Sequence, residues 1–144
     1  MFRGMTKEKK WVYGYYIFAN KKAFIGIKDE IFFTAYDEYG HEIEPCEFDG
    51  FVEVIPETVG QATGLKDKNG KEIFEGDILA FCFGAYSKDN VLIRADGYDP
   101  NSYLIIEMKN GAWMAGDKSV NEAIEYHYVI GNIHEHPSLL ENEK

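Results

Sequence analysis

A chain of 144 residues, 45% of them hydrophobic, fits one domain or one domain with a small appendage and is too apolar for compositional disorder. Its formal net charge of −10 argues against a non-specific grip on nucleic-acid phosphate and equally against anionic membrane surfaces. No apolar run approaches the ~18 residues of a membrane span, the first ten residues lack the apolar core of a signal peptide, and Cys46 and Cys82 have neither disulfide-framework nor zinc-ribbon spacing; a reducing cytoplasm is the expected compartment.

Aromatics make up 15% of the chain and 14 glycines punctuate them, a composition that predicts β structure. Residues 1–10 are polar and basic and read as a loop or a short edge strand. Residues 11–19, W-V-Y-G-Y-Y-I-F-A, predict a strand, Asn20-Lys21-Lys22 a turn, and 23–27 the antiparallel return of a first hairpin. A further strand is expected at 31–36, ended by the turn Asp37-Glu38-Tyr39-Gly40, and the acidic stretch 41–50 with Pro45 reads as a surface loop. Residues 51–55 predict a short strand that stops at Pro56, which cannot donate a ladder hydrogen bond, or lies at a sheet edge there, and 58–63 has alternating β character.

Asn69-Gly70 predicts a two-residue hairpin turn into 71–74, because such turns need positive φ angles. Residues 77–83 follow as one longer strand, 84–90 as a loop, and 91–95 and 103–109 as strands around the loop 97–102. Asn110-Gly111 joins 103–109 to 112–115 as a second tight hairpin. Ser119 with Glu122 makes a capping-box pattern for one or two helical turns, 126–133 is a closing strand, and 138–144 is a fraying tail. The expected architecture is mainly β: an N-terminal antiparallel sheet over 1–56, packed beside a small SH3-like barrel over 57–137, with a single β-sandwich as the alternative.

The stretch T-G-L-K-D-K-N-G-K-E-I-F-E-G-D-I, followed near the end by V-I-G-N-I-H-E-H-P-S-L-L, resembles the YopX-like family of phage and prophage proteins. The resemblance covers 64–78 nearly in full and 129–140 more loosely, and it implies a phage or prophage protein without any known chemistry. The chain departs from the family pattern at Ala62, where an aromatic is usual, and at His134 and His136, where Tyr and Asn are usual; the latter two speak against a family-wide metal site.

Within this motif Thr63, Gly64, Lys66, Asp67, Glu72, Glu75 and Asp77 are the candidate binding residues. Glu72, Glu75 and Asp77 also invite a hydrolase reading, since acid–base work needs two carboxyls in different environments. Against it, Asp77 after Gly76 suits a carboxylate that fixes a tight turn through backbone N–H groups. His134 and His136, at i and i+2 of an extended chain, would face one side, but no third and fourth metal ligands are spaced to join them. His41 lies among carboxylates, and His127, between Tyr126 and Tyr128, reads as a packed strand residue. No nucleophile elbow, phosphate loop or dinucleotide fingerprint is present, so no catalytic residue, metal or cofactor is expected.

Charge is segregated. Residues 1–28 carry seven basic side chains and Glu8, whereas 29–65 carry ten carboxylates and no Lys or Arg. Two solvated faces would account for this; a basic face docking on the acidic face of another copy would too. Tyr13, Tyr15, Tyr16 and Phe18 near Lys9, Lys10, Lys21 and Lys22 could also stack single-stranded bases. The expected function is therefore a non-catalytic interaction module with an unknown host or phage protein partner, forming a homo-oligomer. A single-stranded nucleic-acid binder and a carboxylate-dependent hydrolase are the alternatives.

Overall fold

The computed structural model describes residues 1–27, 35–36, 39, 42–43 and 50–141. It is mainly β, 59% strand and 8% helix, with a small closed barrel of four strands and additional antiparallel sheets, in line with the aromatic and β-branched composition. The chain divides into two units, Met1–Gln61 and Ala62–Lys144.

In the first unit β1 (Phe2–Met5), β2 (Trp11–Ala19), β3 (Lys22–Gly26) and β6 (Phe51–Lys66, through Gln61) close into a ring, while β4 (Ala35–Tyr36) pairs with β5 (Glu42–Ile43). β1 is the closing piece: it pairs antiparallel with β2, Met5 opposite Trp11, and with β6, Phe2 opposite Gln61. The first ten residues thus hold an interior strand instead of a loop or edge. Gly4 permits it, because a Cβ there would lie 2.7 Å from Val54 Cγ2. Ala23, Ile25 and Val54 form the buried core, with Phe2, Val12 and Val59 packed on it. Asn20 and Lys21, at φ 51° and 62°, make the two-residue turn from β2 to β3, both central residues left-handed as that hairpin type requires.

Pro56 does not stop its strand. β6 runs through it, because the register against β1 slips between Arg3 and Met5: Met5 faces Ile55 while Arg3 faces Gly60. The residues between bulge out, and a proline in a bulge has no ladder bond to lose. Thr58 secures the bulge by accepting the Met5 amide at 2.8 Å and donating to the Ile55 carbonyl at 2.6 Å.

The second unit contains the end of β6, β7 (Glu72–Phe74), β8 (Asp77–Ala80), β9 (Cys82–Tyr86), β10 (Leu92–Tyr98), β11 (Leu104–Lys109), β12 (Ala112–Ala115), β13 (Lys118–Ser119) and β14 (Tyr128–Asn132). One sheet runs β13-β12-β11-β8-β14, β9 and β10 make a separate two-stranded ribbon, and β7 pairs with β6, Lys66 opposite Glu72. The core is Ile73, Leu79, Ile106, Ala115, Val120 and Ala123, against which Trp113 and Val129 pack. Asn110 and Gly111, at φ 50° and 82°, form the expected two-residue turn between β11 and β12. The short helix α1 (Val120–Ala123) starts at Ser119, whose Oγ accepts the Glu122 amide at 3.3 Å, as the capping pattern predicts.

Three further expectations need correction in the second unit. The strand expected over 77–83 is two strands, broken at Phe81, whose amide donates to Ser102 Oγ at 2.7 Å and whose carbonyl accepts from the Asp99 amide at 2.9 Å. Residues 84–86, expected as loop, continue β9 as far as Tyr86 because they pair with β10. Residues 138–141 are a short helix, α2 (Ser138–Glu141), held by amide-to-carbonyl bonds such as Leu139 to His136 at 3.1 Å. Most of the acidic stretch 28–49, including His41 and Cys46, lies outside the described residues.

Candidate binding site

The family motif is built around one carboxylate. Asp67 opens a turn in which Gly70 donates its amide to the Asp67 carbonyl at 2.9 Å and the Asp67 amide bonds the Lys71 carbonyl at 3.0 Å. Gly70 sits at φ 82° but Asn69 is not left-handed, so this is a three-residue loop with Gly at its left-handed position and not the two-residue turn expected. The Asp67 side chain imposes it: Oδ1 accepts the amides of Asn69 at 2.9 Å and Lys71 at 3.0 Å. Its Oδ2 accepts the Val129 amide at 3.1 Å, tying the motif turn to β14.

Asp77 does a similar task. It is 1% exposed, and its Oδ2 accepts the Phe74 amide at 2.8 Å across a turn that Gly76 permits at φ 88°. Both carboxylates are thus committed to backbone donors, the role sequence reasoning gave to Asp77. Thr63 Oγ1 accepts the Leu65 amide at 3.1 Å, Gly64 and Lys66 are exposed, and Glu72 and Glu75 are half-buried. None of these seven residues lines the cleft that Lys68 of the motif turn borders.

The motif instead supports a cleft. Lys68 from the motif turn, Phe81 from the break after β8, Tyr86 from β9 and Tyr128 from β14 line a space of about 330 Å³. Asn90, from the turn before β10, and Glu125 and Tyr126, which follow α1, complete it. Tyr128 is buried and donates its hydroxyl to the Asn90 carbonyl at 3.1 Å; Tyr86 donates its own to the Cys82 carbonyl. The two rings stand 6.4 Å apart at 52°. At the rim Lys68 Nζ lies 3.5 Å from a Glu125 carboxylate oxygen. Burial, and then Tyr128 and Cys82, push the Tyr86 phenol above its ordinary value, so the hydroxyl keeps its proton. Burial, and then the negative charge of Asp67, raise the Cys82 thiol, which makes it a poor nucleophile.

A second surface lies in the first unit. β2 exposes Tyr13, Tyr15, Tyr16, Ile17 and Phe18, between 37% and 60% of each. Pairing with β1 reaches only to Gly14, so among the described residues 15–19 have a strand beside them on the β3 side alone. Lys21 and Lys22 sit at the tip, where Lys22 lies 3.9 Å from Glu53. A smaller feature of the same unit is a cleft of about 370 Å³ lined by Lys7, Glu8, Glu53, Val54, Ile55 and Pro56.

The histidines do not form the extended pair that the sequence suggests. Residues 133–135 are a turn, in which Asn132 Oδ1 accepts the amides of His134 at 3.0 Å and Glu135 at 2.9 Å. His136 Nδ1 accepts the Asn132 amide at 3.2 Å, so that nitrogen is occupied. His127 is buried as expected but stands just before β14 and not in a strand, with Nδ1 2.9 Å from the Ala123 carbonyl, and burial lowers its pKa.

The family model described as YopX protein matches residues 1–141. The chain belongs to the YopX family. No curated protein matches it significantly. Among solved structures it is similar to protein EF1440 from Enterococcus faecalis, at 26% identity over 96% of each chain and a TM-score of 0.50. The motif of this YopX chain was legible as a turn with a structural aspartate; the cleft beside it was not. Tyr126 and Tyr128, two apart around His127, were its one local sign, and they read equally well as strand packing.

Proposed function

We propose that this YopX-family chain is a non-catalytic interaction module that pairs with a second copy through the far edge and aromatic surface of β2. The observation that carries the reading is the run 15–19, which is aromatic, exposed and, among the described residues, flanked by a strand on one side only. Such an edge is a template for another strand, and long aromatic edges left open favour association. Charge supports a copy of the same chain as the occupant: the basic residues of 1–28 complement the carboxylates of 29–57. Non-catalysis fits the commitment of Asp67 and Asp77 to backbone amides and the raised Cys82 thiol. No described helix is long and apolar enough to cross a membrane, and a phage or prophage protein working in the host cytoplasm is the setting we infer.

Light scattering at micromolar concentration tests the proposal. A multimer in low salt supports it, and its persistence in high salt assigns most of the affinity to apolar contact, since exposed ion pairs contribute little. A mass of one chain in low salt overturns it. The exposed rings beside Lys21 and Lys22 favour one second reading, a platform for single-stranded nucleic acid. Binding of a labelled oligonucleotide that weakens steeply with salt would favour that reading over self-association.

A further inference from the structure

The cleft in the second unit has a chemical bias that its aromatic lining alone does not express. Tyr86 and Tyr128 both spend their hydroxyl protons on backbone carbonyls, those of Cys82 and Asn90. Each phenol oxygen is then left with lone pairs only, an acceptor toward anything in the cleft. Glu125 adds a carboxylate, its side chain 62% exposed, with one oxygen engaged by Lys68 and further lone-pair sites open. Aromatic rings present a negative face, and three tyrosines and Phe81 supply four of them. Acceptors and π faces thus outnumber the donors, which are the Lys68 ammonium, already paired, the Asn90 side-chain amide and the Tyr126 hydroxyl.

From this geometry we propose that the cleft is a receptor for an arginine side chain carried by a partner protein. A guanidinium is flat, permanently charged and edged by five donors, so it can stack on a tyrosine face while forking onto a carboxylate. A compact ammonium would match the charge but not the stacking. An anion such as a nucleotide phosphate would meet Glu125 and two acceptor oxygens, with the already paired Lys68 as its one cationic partner and the Asn90 amide and Tyr126 hydroxyl as neutral donors. The volume, about 330 Å³, lies at the small end of ligand sites and suits one side chain more than an extended molecule. The net charge of −10 draws cationic partners toward the chain.

The arginine comes from elsewhere because this chain has only two. Arg3 is buried over the Trp11 ring, 4.4 Å from its centroid, and Arg94 is forked onto Asp96 at 2.9 and 3.2 Å. The inference concerns a different surface from β2 and stands whether or not the chain self-associates.

The test is an NMR titration of the 144-residue chain, following its tyrosine ring resonances, with N-acetyl-arginine methylamide. The citrulline analogue keeps the shape without the charge, and adenosine monophosphate serves as the anionic aromatic probe. Saturable shifts at Tyr86, Tyr126 and Tyr128, with a dissociation constant on the order of 1 mM and at least about tenfold tighter than for citrulline, are expected. Tyr126→Ala and Glu125→Gln alter exposed side chains, the first 68% exposed, and each is expected to weaken arginine binding about tenfold with thermal unfolding unchanged. Equal binding of citrulline, stronger binding of the nucleotide, absence of any saturable shift, or full affinity in both variants would each overturn the proposal.

Discussion

β2 and β8 are both rich in apolar residues, yet β2 leaves Tyr13, Tyr15, Tyr16, Ile17 and Phe18 in solvent while β8 buries all four of its residues, Asp77 included. The difference lies in neighbours. β8 is flanked on both sides, by β11 and β14, and Leu79 faces Leu104 on one and Val129 on the other. β2 outruns β1 at Gly14 and, among the described residues, continues for five residues beside β3 alone. A strand's composition tells that it is a strand; its coverage is decided by how far its partners extend. Side chains of β8 are therefore committed to the fold, and those of the far half of β2 are available for contact.

Substitutions that sharpen this contrast rank by size. Leu79→Ala removes a fully buried side chain from the second unit's core and is expected to destabilise by about 2–5 kcal/mol in denaturant unfolding. A loss near that of a surface change would mean that β8 is not the packed centre described. Asp67→Ala comes next. It orphans the amides of Asn69, Lys71 and Val129, and hydrogen bonds to a charged group carry about 1.5–3 kcal/mol each, offset where water reaches the freed donors. A net loss of about 3 kcal/mol is expected, and Asp67→Asn is expected to recover part of it by keeping an acceptor. Gly70→Val follows: nothing lies within 4 Å of an added Cβ, so its cost is the backbone strain of a β-branched residue at φ 82°, about 1–2 kcal/mol. A melting temperature equal to that of the parent would contradict the left-handed assignment. Smallest is Phe18→Ser, whose effect on the stability of an isolated chain is expected within about 0.5 kcal/mol, as for other exposed positions.

How far the sequence disclosed the molecule depends on the range of the interaction concerned. Strands at Trp11–Ala19 and Ala112–Ala115 have the bounds that local pattern predicts, because β-branched and aromatic runs between turn residues are enough to define them. Asn110-Gly111 forms the two-residue turn its residues favour, while the same dipeptide at 69–70 does not, since Asp67 captures the Asn69 and Lys71 amides and fixes a longer loop. Pro56 misled because its bulge is set by β1, more than fifty residues upstream in the pairing of Met5 with Thr58. The end of β8 is likewise imposed from a distance, by Ser102 on the Phe81 amide. The structural use of Asp77 was legible in its Gly-Asp turn chemistry; the buried role of Asp67 was not, because its third donor is Val129. The cleft was least legible, assembled from Lys68, Phe81, Tyr86, Asn90 and the segment around Tyr126, which no single window of sequence contains.

The contrast between committed and available strands is tested most directly by sedimentation of the parent chain and the double variant Tyr15→Ser/Phe18→Ser, at equal micromolar concentration in low salt, with far-ultraviolet circular dichroism on the same samples. The account predicts a multimeric mass for the parent, the mass of one chain for the variant, and superimposable spectra. A parent that sediments as one chain, a variant that stays multimeric, or a variant that loses its β spectrum would contradict the claim that the far half of β2 is held for contact and not for folding.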